Sequence, residues 1–254
     1  MTKKERGYLT ELYYFALSFF VYGFLGWCTE VAYAAAKQGK FVNRGFLNGP
    51  ICPVYGIGVG VVVQFLTPVE NNLVLLYISS TILVTVIEGI TGFLLEKIFH
   101  NKWWDYSEQP LNIGGYVCVL FSLIWGVFCV LIVKIIHPLI YKVLTMIPLV
   151  LRIVVMACLA VGLLADLYVT ASGILKMNRR LEAMEKIAAE LKELSDKVGE
   201  NIYENVMEGM EFREEKKARI EELKVKYEEM AENRTKVGER LVKAFPKMQV
   251  GQHK

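Results

Sequence analysis

The sequence predicts an all-α, polytopic membrane helical bundle of about five spans, the second broken by Pro and Gly, followed by an amphipathic helical or coiled-coil tail. Three observations carry this prediction. Charge is split: residues 1–175 hold 20 Asp, Glu, Lys and Arg side chains, whereas residues 176–254 hold 35 in less than half that length. Five apolar stretches reach the roughly 20 residues a helix needs to cross a hydrocarbon core. In the tail, apolar residues recur every three or four positions between charges of both signs, the period of an amphipathic helix. The same composition excludes a soluble globular enzyme, a secreted disulfide scaffold and a disordered chain. The net charge of +3 is too small and dispersed for nucleic acid.

The first stretch, Leu12–Ala36, follows Lys3, Lys4 and Arg6. Its Ala32–Tyr33–Ala34 looks like a signal cleavage site, but the run exceeds the roughly 7–15 residues of a signal core. The others are Phe46–Leu66, Leu73–Leu95, Ile113–Ile136 and Leu149–Leu175. The stretch from His137–Pro138 to Pro148 is too short to span and reads as an interfacial helix on the outer side. All five cysteines fall within spans and read as small packing residues, with no metal-ligand or redox spacing. No cofactor or metal site is expected.

Lys and Arg near the span ends set orientation. With five spans, nine (Lys37, Lys40, Arg44, Lys97, Lys102, Lys176, Arg179, Arg180, Lys186) share a side with the carboxyl tail, against five (Lys3, Lys4, Arg6, Lys134, Lys142) opposite. This places the tail in the cytoplasm and the amino terminus outside. If 46–66 is instead re-entrant, four spans remain: the tail stays cytoplasmic and the amino terminus moves inside. The domains are a membrane domain, 1–175, and a charged helical tail, 176–254.

Three carboxylates lie within spans: Glu30, Glu88 and Asp166. Each costs about 2.5–3.5 kcal/mol on insertion scales, so each should face protein or water. Glu88 and Asp166 sit roughly 6 Å, and Glu30 roughly 9 Å, past their span centres. Under five spans the three acids share one layer; under four, Glu30 is on the opposite half. They read either as satisfied contacts between helices or as a functional layer.

From Asn43 to Gly56, two prolines and three glycines rule out a continuous helix. Irregular backbone at membrane depth survives only inside protein or along a wet cavity. A helix restarting near Pro50 or Pro53 would turn free N–H groups toward the side of Arg44, making an anion site for a phosphate or carboxylate group. The competing reading is a structural turn in which Arg44 pairs with Glu30 or Glu88. Gly56 and Gly60, like Gly23 and Gly26, permit close helix approach. After the third span, Trp103, Trp104 and Tyr106 read as interface anchors, while Asp105 caps a helix or closes over the site. Asn112 precedes Gly114–Gly115 at the start of the fourth span.

These residues resemble a family. Gly26–Trp27–Cys28–Thr29–Glu30, Asn43–Arg44–Gly45–Phe46–Leu47, Gly49–Pro50, Cys52–Pro53, Tyr55–Gly56, Glu88 with Thr91–Gly92, Trp104–Asp105–Tyr106–Ser107, and Asn112 with Gly115 look like the bacterial "putative ABC-transporter permease" family (CmpB-like, type IV). The resemblance covers roughly residues 12–175 and implies a small multi-span inner-membrane protein; it brings no substrate. The chain has no G-x-x-x-x-G-K-[ST] loop, so it does not hydrolyse ATP by that route. As a permease it would need a separate ATPase, and five spans would suggest a homodimer.

In the tail, Leu181, Met184, Ala188, Leu191, Leu194 or Ser195, Val198 and Ile202, then Ile220, Leu223, Tyr227 and Met230, form the apolar stripe. A turn around Glu208–Lys217 would make a helical hairpin, serving as a stalk, a dimer contact or a dock for a cytoplasmic partner. Asn233–Arg234–Thr235 is a glycosylation-type triplet that should be inert in the cytoplasm. The expected function is a permease-like membrane protein, with Glu30, Asn43, Arg44, Glu88, Trp104, Asp105, Tyr106, Asn112 and Asp166 at the substrate site. The alternatives are an integral-membrane enzyme acting on a lipid headgroup, though no Ser/His or Cys/His set is apparent, and a membrane scaffold working through the tail.

Overall fold

A computed structural model describes residues 3–204, 209–232 and 235–245. The helices are α1 (Lys3–Gln38), α2 (Pro53–Leu66), α3 (Leu73–Phe99), α4 (Val119–Leu131), α5 (His137–Met146), α6 (Leu149–Glu204), α7 (Gly209–Glu232) and α8 (Lys236–Ala244). A two-stranded antiparallel hairpin, β1 (Asn112–Ile113) and β2 (Val117–Cys118), precedes α4. The chain divides into two compact units. One runs up to Ala171 and takes in the chain from Leu241 onward; the other is Ser172–Arg240.

In the first unit, side-chain contacts give each helix its direction. A Cβ on Gly23 would meet Ile51, on Gly26 the Tyr55 ring, on Gly56 the Phe19 carbonyl at 2.6 Å, and on Gly60 the Phe15 ring at 2.9 Å. Falling numbers on α1 against rising numbers on α2 make the pair antiparallel, with glycines at the points of closest approach. Gly58 faces Ile87, while Leu66 and Leu76 share a buried cluster with Val62, Cys129 and Val133, so α3 runs against α2. Val117 lies on Gly89 and Gly126 lies on Tyr77 and Thr81, so α4 runs against α3. Arg152 meets Tyr13 and Tyr14, and Asp166 meets Asn48, so the first part of α6 runs with α1. Directions thus alternate as five crossings require.

Among the described residues, four helices are long and apolar enough to cross a membrane. The exception is α2: its 14 residues span about 21 Å, short of a core of about 30 Å. The irregular residues 39–52 supply the remainder of that crossing, since Cys52 N–H bonds to the Gly23 carbonyl at 2.9 Å, well inside α1. The outer surface is apolar. Val74, Ile78, Ile82, Val86 and Ile90 stand exposed one turn apart on α3, a stripe too extensive for a soluble surface and suited to lipid.

The fourth span differs from expectation. Residues 112–118 form the hairpin, and the apolar helix runs from Val119 to Met146. The stretch after His137 continues the span: Tyr22 Oη lies 3.0 Å from His137 Nδ1, beside the middle of α1. Pro138 stands inside this helix, where its ring would clash with the carbonyl four residues back and it lacks an N–H. A π-turn over Ile132–Ile136 removes that conflict, the His137 N–H reaching back five residues to Ile132.

The second unit holds an antiparallel helix pair. Arg219 on α7 donates to Glu190 on α6 (3.1 and 3.0 Å), and Arg180 donates to the Ala231 carbonyl (3.3 Å). Ile187 and Leu223 are buried, so the stripe passes through Ile187 rather than Ala188, which is exposed. Residues 209–217 are helical; their Glu, Lys and Arg are good helix formers, and polarity alone did not make a turn. Residues 205–208 and 233–234, which include Glu208 and part of the glycosylation-type triplet, lie outside the described residues.

Gly56→Ala would drive a methyl into the Phe19 carbonyl, which cannot yield as a side chain can. Thermal unfolding in detergent should show a destabilisation of about 1–3 kcal/mol. Gly162 has nothing within 4 Å of its would-be Cβ, so Gly162→Ala should leave the midpoint unchanged.

Candidate functional site

Two non-helical segments, 39–52 and 100–118, gather the predicted site residues. The first is pinned from within by Asn43. Its Oδ1 accepts from Trp27 Nε1 (2.9 Å) and Gly45 N–H (2.9 Å), and its Nδ2 donates to the carbonyls of Asn48 (2.8 Å) and Leu47 (3.4 Å). From outside it is held by Asp166 on α6. Asp166 accepts from the Gly49 amide (2.6 Å), the Asn48 amide (3.2 Å), Asn48 Nδ2 (2.9 Å) and Thr170 Oγ1 (3.2 Å). The anion on the free amides of the broken span is therefore the chain's own carboxylate.

Arg44 pairs with Glu30, its Nε 3.4 Å from Oε2. The other oxygen of Glu30 accepts from Tyr55 Oη at 2.8 Å, and the Tyr55 ring packs edge-on against Trp125 of α4. The Arg44 guanidinium also lies over the rings of Tyr33 (5.1 Å) and Phe245 (5.4 Å). Of the sequence alternatives, the structure selects Glu30 over Glu88 as partner of Arg44.

Glu88 has a different environment. Tyr106 Oη donates to its Oε1 at 3.2 Å, and the Tyr106 ring stacks on Phe121 with centroids 5.0 Å apart. Oε2 is buried with no hydrogen-bond partner among the described residues. No Lys or Arg forms an ion pair with Glu88 among those residues. An uncompensated carboxylate inside a span is costly, which separates Glu88 from Glu30 and Asp166.

The second segment is a self-bonded loop. Asn112 Nδ2 donates to the Gln109 (2.8 Å) and Ser107 (3.2 Å) carbonyls, and its Oδ1 accepts the Gly115 amide (3.1 Å). Asp105 accepts both Ser107 Oγ (2.6 Å) and Ser107 N–H (3.0 Å). Gly115 has φ +76, and a Cβ there would crowd Asp105 and Ser107, so the turn requires glycine. Trp104 Nε1 donates to the Tyr116 carbonyl (2.8 Å) and its ring lies over Gly92. The polar groups of Trp104, Asp105 and Asn112 thus shape the loop, which presents Tyr106 to Glu88.

Trp103 is not a headgroup anchor. It is buried and packs with Phe46 and Phe99 at centroid distances of 5.4 and 5.7 Å, joining the two segments. The contacts of Tyr55, Thr170, Asn48, Phe46 and Phe99 are not legible in the sequence, where Trp103 reads only as an interface anchor. The one signal was that Asn48 and Tyr55 flank Pro50 and Pro53, where a broken helix needs side chains to close its backbone bonds. Among the described residues no group of three or more His, Cys, Asp and Glu side chains is placed to hold a metal ion.

In the loop outside the spans, Asp105 and Tyr106 both have shifted pKa values. The Ser107 hydroxyl, more than its amide or Lys102, holds Asp105 below the usual carboxylate range, against the opposing effect of burial. A depressed folded-state value stabilises above the unfolded value, near 3.9, and that support is lost as pH falls through the lower one. Burial, then the Glu88 charge, raises Tyr106, keeping it a donor at neutral pH.

Two tests follow. Asn43→Ala strands the Trp27 N–H and two carbonyls; it should lower stability by about 1–3 kcal/mol, read as the unfolding midpoint, and change Trp27 emission. Asn43→Asp keeps the acceptor and should retain part of that stability. The Asp105 contribution should be constant from neutral pH to about pH 4 and fall below it, measured by comparing wild type with Asp105→Asn across pH.

The family model described as "Putative ABC-transporter type IV" matches residues 17–171, ending at Ala171, where the chain passes from the first unit into the second. No curated protein and no solved structure matches the chain. The matched residues take in both segments, the Glu30–Arg44 pair, Glu88 with Tyr106, and Asp166, and they make up more than half of the sequence: the chain belongs to the ABC-transporter type IV family of membrane proteins.

Proposed function

We propose that this protein is a permease-type subunit that moves an anionic, lipid-like solute across a bacterial plasma membrane, without an ATPase of its own. The observation that carries the reading is Glu88: a carboxylate within a span, held by one tyrosine hydroxyl and with its second oxygen buried and unpartnered. A fixed negative charge at that depth calls for a mobile positive partner, a proton or small cation. Arg44 supplies the complementary group for the solute. Its bond to Glu30 is a single 3.4 Å contact with both side chains partly exposed, a pairing that a phosphate or carboxylate can replace. Asp166, filled by its four donors, positions the loop that carries Arg44.

The tail is cytoplasmic in this reading, as the basic residues beside it favour. A separate ATPase or other cytoplasmic partner docks there, and two copies make the complete permease. Family membership and the apolar helices support membrane transport as the general class; the polar layer supports the anionic solute.

Proteoliposomes carrying wild type or Glu88→Gln test the reading with a panel of radiolabelled organic anions and alkyl phosphates. At least one solute should exchange through wild type in a pH-dependent way. Glu88→Gln should remove the pH dependence, and Arg44→Ala should weaken apparent affinity about tenfold or more, the scale of one lost charge-assisted contact. Unchanged flux of every solute in Glu88→Gln would remove Glu88 from the mechanism.

A further inference from the structure

Arg44 does not face an open site. Its guanidinium lies between Tyr33, one turn beyond Glu30 on α1, and Phe245, the residue after α8. Phe245 is placed by two contacts. Its N–H donates to the Leu241 carbonyl at 2.8 Å, extending the last helical turn, and Leu241 is fully buried. The ring also packs on an apolar cluster of Ala34, Val42 and Ala244, in which Ala34 is 0% and Ala244 1% exposed. The end of the described chain thus covers the cation beside Glu30, far from it in sequence.

We propose that Leu241–Phe245 is a built-in plug of the Arg44 site, released by competition. The ring meets Arg44 through a cation–π contact and meets Ala34 and Val42 through apolar contact. A competitor must better both. An anionic amphiphile does so: its acidic group makes charge-assisted bonds to the guanidinium, stronger than the cation–π contact, and its hydrocarbon chain takes the place of the ring on the Ala34–Val42 cluster. This rests on the assignment of Arg44 to an anionic solute in the proposed function, and it adds that the site is closed until the solute arrives.

The test is the reactivity of Arg44 toward phenylglyoxal in the purified full-length chain in neutral detergent. It is read by mass spectrometry of the Arg44 peptide and normalised to Arg219 of the second unit. Phe245→Ala should speed modification about fivefold, the scale of one exposed cation–π contact; Phe245→Tyr, which keeps a ring, should retain the wild-type rate. Equal rates in wild type and Phe245→Ala overturn the plug, as does acceleration in Phe245→Tyr. Dodecyl phosphate as probe should protect Arg44 at lower concentration in Phe245→Ala than in wild type. Faster modification in Phe245→Ala without protection in either protein overturns the anionic-solute reading and keeps the cover; protection with no rate difference overturns the cover and keeps the anionic site.

Discussion

Fourteen residues of irregular backbone, 39–52, lie between α1 and α2, and they return to the level of Gly23 before α2 begins. Non-helical backbone at such depth has no water to satisfy its amides and carbonyls, so side chains must do it. Asn43 closes three of those bonds and Asp166 two. Much of the rest follows. Because α2 starts within the bundle, it must lie close to α1 to be held there, and Gly26 and Gly56 are required where the Tyr55 ring and the Phe19 carbonyl pass. The carboxylate on α6 is retained because the loop amides of Asn48 and Gly49 would otherwise be unpaired.

The three acids looked alike in the sequence because each is a carboxylate past the centre of an apolar run. What distinguishes them is who donates to them, and that is set by loops far away in the chain. Asp166 is filled by backbone and side-chain donors, Glu30 is shared between a cation and a tyrosine, and Glu88 has, among the described residues, a tyrosine alone. Their spacing along helices was legible and their partners were not. The alternation of α1, α2 and α3 also decides between five and four crossings, which charge counting could not do, because the count of basic residues was the same in both arrangements.

Other readings failed for local physical reasons. The stretch after His137 reads as too short to span, yet the chain carries the fourth span past Pro138 through a π-turn, because an opened ladder accommodates the missing N–H. A turn around Glu208–Lys217 fits the sequence, yet residues 209–217 are helix within an antiparallel pair, since exposed Glu, Lys and Arg favour helix as readily as loop. Trp103 was assigned to the headgroups by residue type, yet Phe46 and Phe99 offer it a buried aromatic site. By contrast the glycine pairs, the break at the prolines and the Arg44–Glu30 alternative were legible, because sterics and charge restrict what such residues can do wherever they fall.

The loop at 100–118 shows how the uncompensated acid is kept in place. Its internal bonds through Asn112, Asp105 and Gly115 leave Tyr106 directed at Glu88 on α3. Burial and the nearby charge raise the Tyr106 phenol, so it remains a donor throughout the physiological range. Any change in the Tyr106–Glu88 contact within that range must therefore originate at Glu88 and not at the tyrosine. In the proposed function, a proton or cation arriving at Oε2 would weaken the acceptor to which Tyr106 is bonded, and the loop is the element that would feel it. Because Trp103 packs the same loop against Phe46, that effect has a contiguous path to the segment carrying Arg44, so the two charged positions of the proposed site are joined through packed side chains without touching each other.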